Sequence, residues 1–129
     1  MAYTGKNSEG ALRIFVINAD GTNPFPVATT TSSEGGPTWS PDGLKIAFRS
    51  TEGGIPQIWI VTTDGTGAAA VTIPNTVGGE APAWSMQGAR LAFTSKVGDE
   101  SHIFTINVNG TDRVPVTVVG GTFEPSWSN

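Results

Sequence analysis

The sequence predicts an all-β protein made of repeated four-stranded antiparallel sheets. One apolar segment recurs as Ile14-Phe15-Val16-Ile17, Ile58-Trp59-Ile60-Val61 and Ile103-Phe104-Thr105-Ile106, first 44 and then 45 residues apart. Each copy is followed by an Asp-Gly-Thr or Asn-Gly-Thr turn, at residues 20–22, 64–66 and 109–111. Apolar stripes of helical period do not extend beyond two turns. A repeat near 45 residues with four short strands is typical of β-propeller blades.

Residues 36–73 form one complete unit. Pro37-Thr38-Trp39-Ser40 is the predicted inner strand, and Ser40-Pro41-Asp42-Gly43 is a β-turn in which Pro sets φ and Gly permits a positive φ. Apolar side chains then alternate with others from Leu44 to Arg49, as expected of a second strand.

The third strand of this unit is predicted at residues 57–61, which are apolar on both faces. Asp64-Gly65 is a hairpin signal of type I′, and residues 69–73 are predicted to return as the fourth strand.

The same template predicts a second complete blade at residues 81–118, with Met86-Gln87-Gly88 in place of Pro41-Asp42-Gly43. A third blade is split along the sequence. Residues 1–28 supply its strands two to four, and residues 123–128, which contain Pro125-Ser126-Trp127-Ser128, supply its inner strand.

Three blades predict a partner, because a blade cannot bury both faces alone and closed propellers have about four to eight blades. Two copies would close a six-bladed ring as a homodimer, with composite blades at its two joints. Its interface residues would be Met1, Tyr3, Phe15, Ile17, Phe123 and Trp127. The alternative is a piece excised from a longer propeller, and three copies would give nine blades. An engineered or reconstructed half-propeller also fits the pattern.

Several motifs resemble the repeat of the TolB-type propellers, and related repeats occur in prolyl-oligopeptidase-like and tricorn-like proteases. They are Trp39-Ser40-Pro41-Asp42-Gly43, Lys45-Ile46-Ala47-Phe48, Ile58-Trp59-Ile60-Val61 and Asp64-Gly65-Thr66. The resemblance implies six blades and, for an envelope protein, protein or peptide binding at the channel mouth or loop faces. It also implies a periplasmic or other extracytoplasmic origin, which no signal within the sequence specifies.

Composition excludes several classes of function. The net charge of −4 is spread without a basic block, so binding to nucleic acid or a membrane surface is not predicted. There are no cysteines, which excludes disulfides, thiolate zinc sites and a thiol nucleophile. No cofactor or metal is predicted.

The sequence does not predict an enzyme. His102 follows Asp99 and Ser101, but neighbouring loop residues rarely converge as a triad, so a solvated loop histidine is expected. Asn18 to Asn23 has oxygen ligands at alternate positions but lacks the glutamate of a calcium loop, so a hairpin is expected. The recurring Trp and Phe positions indicate interblade core.

Glu34, Glu80 and Glu124 each precede the Pro of an inner strand. They are predicted to approach one channel mouth, where six carboxylates of a dimer could focus a cation or a basic ligand. The competing interpretation is that they are ordinary solvated loop acids. The function predicted overall is a non-enzymatic, self-assembling scaffold. The alternative is a substrate-filtering propeller fragment of a protease.

Overall fold

The computed structural model describes residues 1–27, 30–72, 79–117, 121 and 124–128, and it shows three antiparallel sheets of three, four and four strands. Sheet 1 contains β1 (Ala2–Lys6), β2 (Leu12–Val16) and β3 (Phe25–Pro26). Sheet 2 contains β4 (Glu34–Trp39), β5 (Lys45–Ser50), β6 (Gln57–Thr62) and β7 (Ala69–Ala70). Sheet 3 contains β8 (Glu80–Trp84), β9 (Arg90–Val97), β10 (Glu100–Asn107) and β11 (Val114–Pro115). The predicted all-β class is confirmed.

Strand order follows the sequence in every sheet, as in a chain of hairpins. Sheets 2 and 3 share one register, in which the Trp of the inner strand lies opposite Ile46 or Leu91 of the next strand. Both inner strands carry an irregularity just before this pair, at Gly35/Thr38 and Glu80/Ala83. There Gly36 and Ala81 both adopt a positive φ, which is strained for the alanine.

Two apolar clusters lie between the sheets. One, between sheets 1 and 2, contains Ile14, Val27, Ile46, Phe48 and Val61. The other, between sheets 2 and 3, contains Ala47, Ile58, Val71, Trp84, Leu91, Phe93, Phe104 and Ile106. The core therefore lies between sheets rather than within any one of them.

Helical structure is almost absent. Among the described residues, the helical segment is a single 3-10 turn at Glu52–Gly54. A membrane-spanning helix, which would need a long apolar stretch, does not occur in that part of the chain.

The Asp/Asn-Gly-Thr turns share one geometry, which differs from the predicted type I′. In the Asp64 turn the Gly65 N–H donates to Thr62 O (2.9 Å) and the Thr62 N–H donates to Thr66 O (3.1 Å). Gly65 has a φ of +85°, whereas Asp64 is not among the positive-φ residues. This is a type I turn closed by a left-handed glycine in a G1 bulge. The type I′ prediction was wrong, because the Asp side chain takes up the next free backbone N–H, that of Thr66.

The fourth strands are shorter than predicted. β7 comprises only Ala69–Ala70 where residues 69–73 were expected, and residue 73 lies outside the described residues. Thr72, which ends the described stretch, uses its hydroxyl to bind the backbone of Ile58. The hydroxyl thus takes the place of a backbone acceptor for the Ile58 N–H, while the Val71 N–H still donates to Ile58 O at 2.8 Å.

A pair of glycine substitutions should separate two costs in these turns. Gly21 and Gly110 have φ values of +82° and +83°, but an added Cβ meets nothing at Gly21 and Val71 O at 2.9 Å at Gly110. We expect Gly21→Ala to lower the free energy of unfolding by about 1 kcal/mol through φ alone. Gly110→Ala should cost roughly 2–3 kcal/mol, because the neighbouring backbone must also move. Urea denaturation measures both, and equal losses would contradict the clash.

Acid stability should depend on Asp64. Hydrogen bonds from Thr62 and Thr66 lower the pKa of its carboxyl from 3.8 to about 2. Because the folded-state pKa is the lower one, the stabilisation is present above about pH 4 and is lost as the pH falls towards 2. Asp64→Asn should flatten the pH dependence of the urea midpoint in this window. Asn109→Asp, the reverse change in the equivalent turn, should steepen it. Identical profiles for both variants and the original chain would contradict this.

Candidate functional site

Each interface between sheets joins an aromatic face to an aliphatic one. Sheet 2 presents Trp39, Phe48 and Trp59 to the aliphatic face of sheet 1, which includes Ile14 and Val16. Sheet 3 repeats the arrangement and presents Trp84, Phe93 and Phe104 to Ala47, Ile58 and Val71 of sheet 2. The two interfaces are therefore copies of one packing pattern.

The outer face of sheet 1 has the aromatic pattern but no described sheet against it. Tyr3 pairs with Phe15 in register, just as Phe48 pairs with Trp59, and the two rings stack with centroids 5.5 Å apart. Tyr3 is 39% exposed, whereas Phe48 is fully buried. Met1 is exposed and Ile17 is half-buried on the same face.

The outer face of sheet 3 has the complementary aliphatic pattern. Ile103 and Val116 occupy the positions of Ile58 and Val71, since in each case the valine N–H donates to the isoleucine carbonyl at 2.8 Å. Val71 is buried, but Val116 is 58% exposed. Trp127 lies against this sheet, where its indole N–H donates to Ala83 O at 3.1 Å, and is 40% exposed. Phe123, predicted as an interface residue, lies outside the described residues.

Glu34 is a buried acceptor rather than a residue of an open mouth. It is 1% exposed, and its Oε2 accepts the Ile14 N–H of sheet 1 at 2.9 Å. Its Oε1 accepts the N–H and the hydroxyl of Thr30 at 3.0 and 2.7 Å. The prediction that Glu34 serves a ligand at a channel mouth is corrected, because its oxygens stabilise the junction of sheets 1 and 2.

The backbone N–H groups of the residues equivalent to Ile14 have a different kind of acceptor. The Ile58 N–H donates to Thr72 Oγ1 at 3.0 Å, and the Ile103 N–H donates to Thr117 Oγ1 at 2.9 Å. In sheet 1 the corresponding position in the sequence is Ala28, which has no hydroxyl group. Glu34 supplies the missing acceptor from the neighbouring sheet.

Glu80 and Glu124 do share a surface groove. The groove has a volume of about 470 Å³ and is lined by both carboxylates together with Arg49, Gly36, Thr94 and Ser101. Arg49 Nε lies 3.5 Å from Glu80 Oε1, and the Glu80 side chain is mostly exposed. We call this the mouth groove. Its lining includes one basic and two acidic side chains, so a basic ligand group would compete with Arg49 for Glu80.

His102 lies in β10, not in a solvated loop. Its side chain is 13% exposed, Nδ1 lies 3.2 Å from Thr117 O, and Nε2 lies 3.6 Å from Glu100 Oε2. The loop prediction was wrong because the β9–β10 hairpin is tight and its strands extend to Val97 and Glu100. The described residues contain no cluster of three or more His, Asp or Glu side chains suited to a metal ion.

Arg113 is a structural cation that the sequence reasoning missed. Its guanidinium lies 3.8 Å from the centroid of the Phe104 ring, and Nη2 donates to Ser95 Oγ at 3.2 Å. Burial lowers the pKa of this arginine. No repeat signal marks it, since the other blades have Pro24 and Ala68 near this position. It is therefore part of the packing of sheet 3.

Removal of the Glu34 carboxylate should destabilise the chain strongly. Glu34→Ala leaves the buried N–H groups of Ile14 and Thr30 without acceptors, which should cost about 3 kcal/mol or more. Glu34→Gln keeps one acceptor and should lose less. The control Glu80→Ala removes an exposed carboxylate and should change stability by under about 0.5 kcal/mol. Thermal and urea unfolding provide the measurement, and equal effects at residues 34 and 80 would refute the assignment.

Comparison with curated proteins finds relatives over one or two repeats. A 57-residue segment is 39% identical to the Tol-Pal system protein TolB of Coxiella burnetii and covers 44% of this chain and 13% of that protein. A 65-residue segment is 38% identical to TolB of Methylococcus capsulatus, covering 48% and 15%. A 53-residue segment is 39% identical to dipeptidyl-peptidase 5 of Porphyromonas gingivalis, covering 41% and 8%. The matches thus span 8–15% of these relatives' lengths. No protein-family model matches the chain.

Solved structures show the same fold over most of the chain. TolB from Acinetobacter baumannii superimposes with a TM-score of 0.84 at 23% identity, covering 98% of this chain and 33% of that one. A TolB-like structure from Agrobacterium tumefaciens gives 0.80 at 24% identity, covering 89% and 44%. The tricorn protease gives 0.63 at 19% identity, covering 95% and 11%. The resemblance to TolB-type propellers is confirmed by sequence and by structure.

Proposed function

We propose that the 129-residue chain is a non-enzymatic scaffold that closes a six-bladed propeller by pairing with a second copy. The observation that carries this proposal is the match between its outer faces. Sheet 1 offers the aromatic half of the repeated interface through Tyr3 and Phe15, and sheet 3 offers the aliphatic half through Ile103 and Val116. In a twofold-symmetric pair, sheet 1 of each copy would pack against sheet 3 of the other, which gives two identical joints.

The energetics favour such closure. Each fully buried aliphatic or aromatic side chain contributes about 1.5–3 kcal/mol. Six or more exposed or half-buried apolar residues at each joint would gain burial, led by Met1, Tyr3, Phe15, Ile103, Val116 and Trp127. Two such joints in one ring outweigh the cost of association, which is about 4–15 kcal/mol. In the composite blade, residues 1–28 of one copy would supply three strands and residues 123–128 of the other the inner strand.

The ring would place the mouth groove beside its central channel. Arg49, Glu80 and Glu124 line the groove, so each copy contributes one basic and two acidic side chains. This mixed charge suits a peptide or protein ligand with its own charged groups better than a nucleic acid or a membrane surface. The TolB relatives are named as components of a Tol-Pal system, which supports a protein ligand and an extracytoplasmic location.

A second candidate function is substrate filtering by the propeller of a protease. Its support is the sequence match to a dipeptidyl-peptidase and the shared fold of the tricorn protease. A peptidase domain encoded beside these repeats would favour it. In both cases the chain itself would not be the catalyst.

The solution mass tests the ring. Light scattering on a size-exclusion column should give about twice 13.4 kDa. Tyr3→Arg places a charge in the proposed joint and should shift the mass to that of a single chain at micromolar concentration. The control Leu44→Arg introduces the same charge at an apolar residue that is 63% exposed in the β4–β5 turn, and it should leave the mass unchanged. A single-chain mass for the original sequence at every concentration would exclude the dimer.

A further inference from the structure

Two indole hydrogen bonds link a Trp of one repeat to the inner strand of the preceding repeat. Trp84 Nε1 donates to Thr38 O at 3.0 Å, and Trp127 Nε1 donates to Ala83 O at 3.1 Å. In both cases the acceptor is the residue just before the Trp of the preceding inner strand. The bond is therefore a repeated element of the blade-to-blade contact.

Trp39 is the first indole of this series. Its preceding sheet is sheet 1, which contains β1, β2 and β3 and no inner strand. Among the described residues, the indole N–H groups that donate to a carbonyl are those of Trp84 and Trp127, and Trp39 makes no such bond. In the other two bonds the acceptor is the carbonyl of the residue just before a Trp of an inner strand. The same kind of carbonyl is therefore the expected partner of Trp39. Ser126, just before Trp127, fits this pattern and belongs to the sequence assigned to the split blade.

The edge of β1 points to the same residue by a separate route. β5 and β9 pair with neighbours on both edges, whereas β1 lies at the edge of its sheet and pairs only with β2. In the complete sheets Thr38 lies opposite Ala47, and Ala83 lies opposite Ala92. Tyr3 pairs with Phe15 as Phe48 pairs with Trp59, so Tyr3 of β1 corresponds to Phe48 of β5. Ala2 therefore corresponds to Ala47. A strand added in the same register would put Ser126 opposite Ala2.

We propose that the free edge of β1 and the Trp39 indole form a receptor for an extended Pro-Ser-Trp strand, occupied by residues 124–128 of a second copy. Main-chain pairing along β1 would supply affinity, as in β-strand addition, and the Trp39 N–H would fix the register by binding Ser126 O. Trp127 holds this segment against sheet 3 of its own chain, where it is ready for presentation. The inference rests on the proposed ring for its occupant, but the receptor can be tested without the ring.

Two matched substitutions test the indole. Trp39→Phe removes the N–H at the joint and keeps an aromatic ring, and Trp84→Phe makes the same change inside one chain. Each neutral hydrogen bond corresponds to about a fivefold change in an equilibrium constant, and a ring contains two joints. Trp39→Phe should therefore raise the dimer dissociation constant by about 25-fold. Trp84→Phe should lower the melting temperature and leave that constant within about threefold. A dimer equally tight in both variants would overturn the receptor and leave the ring intact.

A peptide with the sequence of residues 121–129, labelled with fluorescein, tests the receptor directly. Anisotropy with the full chain should show saturable binding that Trp39→Phe weakens about fivefold and that a scrambled peptide lacks. Excess unlabelled peptide should shift the dimer towards single chains carrying peptide. If the chain proves monomeric, the ring fails, but Trp39-dependent binding would still sustain the receptor. Absence of saturable binding together with an unchanged mass would refute it.

Discussion

Each sheet of this chain has an aromatic face and an aliphatic face, and the fold depends on joining unlike faces. The pattern arises from strand alternation. Phe48 and Trp59 point one way, and Ala47 and Ile58 point the other. Because a small twisted sheet cannot bury both faces by itself, its stability comes from its neighbours. Joining unlike faces also gives the row of three sheets a direction. Sheet 1 leaves an aromatic face uncovered and sheet 3 an aliphatic one, so each matches the other kind of face. The homodimer proposed above meets this constraint, whereas a symmetric pairing of two like faces would not.

A second requirement acts at the start of the third strand, where a backbone N–H is shielded from water at each blade. Thr72 and Thr117 satisfy it within their own blades. Glu34 satisfies it across an interface, and the aligned residue of the next blade is Gly79, where a Cβ would come within 2.8 Å of Ile58 Cγ1. At Ile58, where Thr72 supplies a hydroxyl, Gly79 of the next blade lies too close for a side chain to fit. At Ile14, where the aligned residue is Ala28, the carboxylate of Glu34 occupies the corresponding space. Repeats that look alike in sequence can thus differ in which sheet they need for stability.

Sequence periodicity was sufficient to predict the all-β class, the strand order and the aromatic positions, because these follow from alternation and from turn residues. Predictions from the periodicity failed where a side chain accepts a backbone hydrogen bond. The type I′ prediction was wrong because Asp64 accepts the Thr66 N–H. Glu34 differs from Glu80 because it pairs with Ser50, whereas Glu80 pairs with Thr94, the equivalent of Arg49, so the two glutamates lie one strand position apart and on opposite faces. The role of Glu34 had a readable signal, namely an alanine at residue 28 where the other blades have threonine. The placement of Arg113 had none, since it depends on stacking with Phe104 in three dimensions.

The two ends of the blades are under different constraints. At the end with the Asp/Asn-Gly-Thr turns, Asp20, Asp64 and Asn109 each accept a nearby threonine N–H and hydroxyl. Asp42 similarly accepts the Ser40 hydroxyl and the Leu44 N–H. These polar groups are used in folding, which explains why their sequence repeats. The opposite end carries loops that differ between blades, and there the Glu80 side chain, which faces Arg49, is 59% exposed. Residues that repeat because folding requires them are poor candidates for ligand specificity. This difference favours the variable end, where the mouth groove lies, as the place of the ligand binding proposed above.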